Sequence, residues 1–458
     1  MPRLGLGLGL AKGSVLYSFS IISNFISRVT ADSGTFEAQT CLQNYLNSLG
    51  QSLYNSASLI ITPNAYKASK IYALKPTNGS GDLTFARASS RTRRNSSGII
   101  ESLANNVPAL EYPDSGCPAW LFEPQRTNTA LWSQDFTDAG WDGYNASAVS
   151  NTHTAPDGTL TADTISFTVD GGFFRRLGGI SIADNTTYTL SCYFRNIGLT
   201  AGQTFRMYLS SPSAAIYATI DLAALTAVPV VSGIASGASA SITQISTEWS
   251  RVTLTFTAGA AAPYCYIGFE AVFTPRSFVA WGIQLEVGAF ASSYIATTGT
   301  AVTRVADTFS LSNVYTNGLI SASGGTWYIH FINNTSIVPD NTAGLFLGTN
   351  SASGFLGDSF NFIAAGPSGR HKLWKYESGV GTSLFDTTTD TVKIAIKWNG
   401  STADVFVNGV KEVSATSFTQ VALQNLGITS LGRIFNIPQM MLFPTPLSDA
   451  ELQSLTTL

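Results

Sequence analysis

Charge is scarce in this chain. Asp, Glu, Lys and Arg make up 12% of its 458 residues, about half the roughly 25% of an average soluble protein. The net charge of −3 supplies none of the basic surface that nucleic acid requires, so nucleic acid is not an expected partner. His153, His330 and His371 are scattered, and none has a second histidine or cysteine at metal-ligand spacing, which argues against zinc chemistry. The four cysteines, Cys41, Cys117, Cys192 and Cys265, include no close pair. Free, buried thiols are the expectation, with one bridge left open because spacing does not determine connectivity. No G-x-S-x-G elbow occurs, which sets acyl hydrolysis aside. Long apolar runs are missing too. The best candidate, Val15 to Val29, is broken by Ser18, Ser20, Ser23, Asn24, Ser27 and Arg28, so membrane insertion is not expected. The opening MPRLGLGLGLAKG lacks the apolar stretch and cleavage site of a secretion signal.

What is present is glycine, serine, threonine and aromatic residues, the composition of β-sandwiches with polar, uncharged surfaces. A chain this long divides into two or three domains. We expect a mainly β protein: two tandem antiparallel β-sandwich (jelly-roll) domains preceded by an extended arm and a short helical N-terminal segment. Residues 1–62 form that segment. Its Leu42, Tyr45, Leu46, Leu49 and Leu53 recur at helical spacing, while the alternating Leu and Gly from Leu4 to Leu10 suit either an extended arm ordered only by a neighbour or plain disorder. Ile21, Ile22, Phe25 and Ile26, with Leu4, Leu6 and Leu8, are too few for an independent core and are expected to find partners on other chains. Residues 63–128, broken by turn pairs such as Asn78-Gly79 and Pro113-Asp114, read as a β-rich connecting region.

Residues 129–300 form the first sandwich, with alternating strands such as TYTLSCYFRN (187–196) and WSRVTLTFTA (249–258). Residues 301–458 form the second, in which Asn399-Gly400 and Asn408-Gly409 mark hairpins. The S-x-x-E pattern of Ser448 and Glu451 marks a capped closing helix.

Three stretches, DLTFARASSRTRRNSSGIIE (82–101), PAWLFEPQRTNTALWSQDF (118–136) and WGIQLEVGAFASSYIATTGTAVTRVAD (281–307), resemble in that order a family of tailed-phage virion proteins with a carbohydrate-binding-module-like sandwich. The match covers roughly the middle half of the chain, and Arg93 and Arg94 depart from it by adding charge. GTFEAQTCLQNYLNSLG and SLIITPNAYKASKIYALKP look like the virion-proximal part of similar proteins in phages of Bacteroidetes-type hosts. IAIKWNGSTADVFVNGVKEV with MMLFPTPLSDAELQSL resembles a laminin-G or concanavalin-like jelly roll, a fold that hosts lectins, enzymes and spacers alike.

The resemblance implies a tail or head fibre or adhesin subunit. Such a subunit is made in the host cytoplasm and released in the particle, docks on other virion proteins through its N-terminal segment, assembles as a homotrimer and binds host cell-surface polysaccharide. A purely structural virion component is the alternative, and a glycan depolymerase the third reading. An enzyme is not expected, because Glu270, Glu286, Asp358, Glu377, Asp386 and Asp390 form no motif that pairs two carboxylates. Glu286 is expected to bond the loop that follows it. No cofactor is expected. A structural calcium ion is left open, with Asp358, Asp386 and Asp390 as the candidate ligands.

Saccharide binding by such modules uses aromatic faces that stack on sugar C–H surfaces, beside polar side chains that read the hydroxyls. Two groups qualify. Trp132, Trp141 and Tyr144 lie at the start of the first sandwich. In the second sandwich, strand alternation places Arg370, Lys372, Trp374 and Tyr376 on one face, beside His371. The alternative for each aromatic is core or interface packing.

Overall fold

The computed structural model describes residues 12–112, 116–196, 201–211, 214–233, 235–259, 262–272, 276–321, 323–332, 342–349, 358–365, 370–387, 389, 391–419, 421–428 and 434–458. The arm positions Leu4, Leu6 and Leu8, and the Pro113-Asp114 turn, lie outside them. Within them the protein is mainly β, with antiparallel sandwiches of jelly-roll type and three helices, Lys12–Ala31 (α1), Gln39–Ser56 (α2) and Asp449–Thr456 (α3). Alternation does the sorting. In Trp249–Ala258, Val252, Leu254, Phe256 and Ala258 are buried, while Arg251, Thr253, Thr255 and Thr257 are partly exposed.

The expected linear order is not how the sheets are assembled. One ten-stranded sheet opens with Thr35–Phe36, Ala65–Lys67, Lys70–Ile71 and Leu83–Ala86, then continues through Thr308–Leu311 and Asn425–Ile428. It ends with Thr342–Gly348, Ser359–Ala365, Arg370–Glu377 and Val380–Thr387. The facing eight-stranded sheet likewise joins Ala109–Glu111 and Ala119–Phe122 to Phe435–Phe443, and adds Leu59–Ile61 at that same strand. One core of Phe85, Trp120, Phe122, Phe309, Trp327, Leu373, Ile394 and Trp398 lies between the two sheets. Residues 63–128 are therefore not a separate connecting region: Ala65–Lys67, Lys70–Ile71, Leu83–Ala86, Ala109–Glu111 and Ala119–Phe122 complete the sandwich of 301–458, while Arg91–Arg94 and Ile100–Leu103 form a hairpin of their own.

The other sandwich is an insertion into this one. Arg126–Asn128 enters it and Val302–Arg304 leaves it, and these two segments pair antiparallel. Its six- and seven-stranded sheets enclose Leu190, Phe194, Phe205, Ile216, Phe269 and Phe278.

The helical segment also folds inward. Ile22, Phe25 and Val29 of α1 and Leu42, Leu46 and Leu49 of α2 are buried against Tyr328, Ala395, Phe406, Met441 and Phe443 on the outer face of the eight-stranded sheet, with Ile21, Ile26, Tyr45 and Leu53 partly buried beside them. That corrects the expectation that these side chains need other chains: a two-faced apolar sheet supplies their partner. Cys41 and Cys117 form a disulfide across 76 residues and tie α2 to the second sheet, while Cys192 and Cys265 are free and buried. Closing a loop of that size stabilises the fold by about 4 kcal/mol in chain-entropy terms. Asn408 and Gly409 both have positive φ, 47° and 85°, as a two-residue hairpin turn demands. Ser448 and Glu451 cap α3 reciprocally. No helix among the described residues is long and apolar enough to cross a membrane.

Removing residues 12–56 would strip the cover from Tyr328, Phe406, Met441 and Phe443 at once. The truncated chain is expected to be insoluble or to melt far below the full chain, as soluble yield and thermal melts will show. A soluble truncation with an unchanged melting curve would contradict this packing.

Candidate functional site

Strand Arg370–Glu377 lies one in from the edge of the ten-stranded sheet, between Ser359–Ala365 and Val380–Thr387. Leu373 and Lys375 point into the sandwich and are buried, whereas Lys372, Trp374 and Tyr376 are half-buried on the opposite face. The side chain of Arg370 lies outside the described residues. Lys375, 4% exposed, is tolerated inside because its ammonium reaches Glu377 (2.8 Å) and the carbonyl and hydroxyl of Ser417 on the facing sheet.

On the outer face the Trp374 and Tyr376 rings lie 6.2 Å apart at 24° to one another. Gly381 on the next strand lets them lie flat, since a Cβ there would stand 2.7 Å from the Tyr376 ring and 3.1 Å from that of Trp374. Toward the sheet interior Trp374 is paired with Asn361 and Tyr376 with Ser359, both buried, and Asn361 Nδ2 donates to Ser359 Oγ at 2.7 Å. The indole Nε1 of Trp374 has no acceptor among the described residues, a deficit of about 1–3 kcal/mol for a buried donor. The result is a pair of near-parallel aromatic rings with an amide and a hydroxyl at its inner end.

The aromatics of the inserted sandwich are not brought together in this way. Trp141 is 7% exposed and packed in the core, its ring stacked on Phe174 at 5.7 Å and edge-on to Phe136 at 4.9 Å. It has no free face for a ligand, and the binding role expected of it is corrected to packing: in strand Trp141–Tyr144 it is the first, inward residue. Tyr144, 59% exposed, stacks on Phe173 at 5.5 Å. Trp132 is half-buried against the core at a positive φ of 55°.

Sequence reasoning missed a buried ionic cluster at the root of the insertion. Asp307 accepts from Arg87 (3.0 Å) and Arg91 (2.7 Å), and Arg91 also reaches Glu123 at 2.6 Å. Arg304 closes the set on Glu123, Ser293 and the Pro124 carbonyl. Ser293 donates to Glu123 through both its amide (2.8 Å) and hydroxyl (2.6 Å). All five charged side chains are almost completely buried. Burial opposes ionisation of Glu123, but Arg304 and Arg91, with Ser293, outweigh it and hold the carboxyl down at about 2. Glu286 bonds the following loop, accepting from Ser292 N (2.8 Å) and Ser292 Oγ (2.7 Å). The unusual Arg93 pairs with Glu37 (2.9 Å) and Glu101 (2.6 Å), and Arg94 faces Glu111 at 3.6 Å. The signal was available: Arg87, Arg91, Glu123, Arg304 and Asp307 all sit in the three resembling stretches of a chain otherwise poor in charge.

The carboxylates weighed for hydrolysis are largely occupied, Glu270 by Arg206 (2.8 Å) and Glu377 by Lys375. Asp358 accepts from Ser378 N and Asp386 is exposed, while Asp390 lies outside the described residues. Among the described residues no three His, Cys, Asp or Glu side chains are grouped to hold a metal ion. His330 is pushed down to about 4 by burial, with Lys393 adding to the shift.

No family model matches the chain, and no curated protein matches it. Among solved structures it is similar to domain 4 of AbnA, a GH43 extracellular arabinanase from Geobacillus stearothermophilus in complex with arabinotriose, at 14% identity and TM-score 0.27 over 37% of this chain and 82% of that one. The binding domain of botulinum neurotoxin DC in complex with SialylT gives 11% identity and TM-score 0.25 over 32% and 39% of the two chains. Mouse laminin alpha1 domains LG4-5 give 8% and 0.20 over 61% and 90%. At this distance the likeness does not extend to function.

A carboxyl whose pKa is lowered by folding stabilises the fold fully above its unfolded value, here 4.5, and loses that contribution as pH falls through the folded value. Unfolding free energy from urea titrations is therefore expected to decline as pH drops from 4.5 toward about 2. Glu123→Gln should cost about 3–5 kcal/mol at neutral pH by stranding the arginines, and should show a shallower decline in that window. Equal slopes in the two proteins would contradict the assignment.

Proposed function

We propose that this chain is a non-enzymatic saccharide-binding protein whose binding surface is the outer face of strand Arg370–Glu377. The observation that carries the reading is the flat, half-buried Trp374 and Tyr376 pair over Gly381. Such a surface suits the C–H face of a pyranose, with Lys372 beside it on the same face of the strand. Trp132 and Tyr144 are left as secondary contacts.

The resemblance of residues 82–101, 118–136 and 281–307 to phage virion proteins extends this to a fibre or adhesin subunit of a tailed-phage particle, a homotrimer that recognises host cell-surface polysaccharide. In that setting the helical segment serves two purposes. Its inner face covers the sandwich, and its outer face, where Phe19 is 55% exposed, is the surface available for docking on other virion proteins. The ion-paired state of Glu270 and Glu377 favours binding over hydrolysis.

The test uses the whole chain, because residues 59–122 complete the second sandwich. Trp374→Ala is expected to weaken binding to array-identified glycans by about 1–3 kcal/mol, as for other aromatic anchors, with the circular dichroism spectrum unchanged. Gly381→Val, which pushes a side chain under both rings, should weaken it similarly. Unaltered affinity in both folded variants, or release of reducing ends by the wild type, would overturn the reading.

A further inference from the structure

A cavity of about 510 Å³ opens where the inserted sandwich meets the hairpin Arg91–Arg94/Ile100–Leu103 and the 289–294 loop. Its size falls within the roughly 300–1,000 Å³ of small-ligand sites. One wall is the outer face of strand Ala235–Gln244, where Ser239, Ser241 and Thr243 project exposed hydroxyls at alternate positions. The adjoining strand adds Thr253 and Thr255, and Ser241 Oγ lies 2.7 Å from Thr253 Oγ1. A hydroxyl both donates and accepts, so such a wall matches a polyol rather than a purely donating or purely accepting ligand.

Charge in the cavity is unevenly answered. Arg93 is neutralised by Glu37 and Glu101, Arg94 faces Glu111, and Glu123 is held by Arg91 and Arg304. Arg251 differs. It donates to Ser292 O (2.7 Å) and Ser191 Oγ (2.9 Å), lies 5.0 Å from the Tyr193 ring centroid, and meets no carboxylate among the described residues. Its Nε is buried without a partner. The guanidinium is thus fixed by neutral acceptors at the edge of a hydroxyl-lined cavity, with its charge uncompensated.

We propose that this cavity is an acidic-sugar site, taking a uronic- or sialic-type residue whose carboxylate pairs with Arg251 while its ring hydroxyls bond the Ser239–Ser241–Thr243 row. The proposal extends the saccharide reading to a second surface and does not depend on Trp374. The loop that walls the cavity is anchored by Ser292 to Glu286 and by Ser293 to Glu123, so the site is preformed by Glu286 together with the cluster that roots the insertion.

The test is calorimetry on the full chain with a glucuronate-containing oligosaccharide and with the same oligosaccharide after its carboxyls are reduced to hydroxyls. Tighter binding of the acidic form, by about tenfold or more as a charge-assisted pair provides, and weakening by added salt, are expected. Ser241→Trp, a change at an exposed position that fills the cavity, and Arg251→Gln should each abolish that preference, while Trp374→Ala leaves it intact. Equal binding of the two forms, absence of binding to the acidic form, or a preference that survives Ser241→Trp would overturn the proposal. A preference lost only in Trp374→Ala would assign acidic sugars to the other surface.

Discussion

Everything else in this fold hangs on the buried cluster of Arg87, Arg91, Glu123, Arg304 and Asp307. Five charges removed from water are costly, and they are held because every one is paired and most of the remaining hydrogen-bonding groups find backbone or serine partners, Nε of Arg304 being the exception among the described residues. The pairing has a topological meaning. Arg87 and Arg91 come from the stretch between the sandwich strand Leu83–Ala86 and the hairpin that begins at Arg91, Glu123 from the segment entering the insertion, and Arg304 and Asp307 from the segment leaving it. Loss of any one would strand its partners in a dry interior, so the cluster specifies how these three segments meet more than it adds net stability.

From that root the two binding surfaces follow by different routes. The cavity beside Arg251 owes its shape partly to the cluster, through Ser293 on Glu123 and Arg304, and partly to Glu286, which holds Ser292. The Trp374 face owes its position to the ten-stranded sheet, whose far strands are held in register by pairing that runs back through Thr308–Leu311 to Leu83–Ala86. Helices α1 and α2 contribute by closing the opposite sheet, which leaves the outer face of Arg370–Glu377 as the aromatic surface on that side of the sandwich.

Local pattern was a good guide wherever a side chain's fate depends on its neighbours in sequence. The strand Trp249–Ala258, the hairpin at Asn408-Gly409 and the capping box of α3 could all be read from period and turn chemistry. Pairing partners could not. Leu59 meets Leu442, and Ala86 meets Thr308, matches that local propensity does not encode, so the stretch 63–128 looked like a connector and the insertion went unseen. Cys41 and Cys117 were hidden for the same reason. Trp141 and Tyr144, three residues apart in the same strand, share composition and context, and only the three-dimensional direction of the first residue separates a core ring from an exposed one. The buried arginines were the hardest case, because a charge inside a strand normally signals a solvated face, and only the convergence of three distant segments turns it into a core.

The central claim is that saccharide is bound on the outer face of the discontinuous sandwich, at Trp374 and Tyr376. Hydrogen–deuterium exchange on the whole chain, with and without a glycan that it retains on an array, tests this most directly. The account predicts that the added glycan slows exchange in Ser359–Ala365, Arg370–Glu377 and Val380–Thr387. Slowed exchange confined to other strands, with these three unchanged, would contradict it.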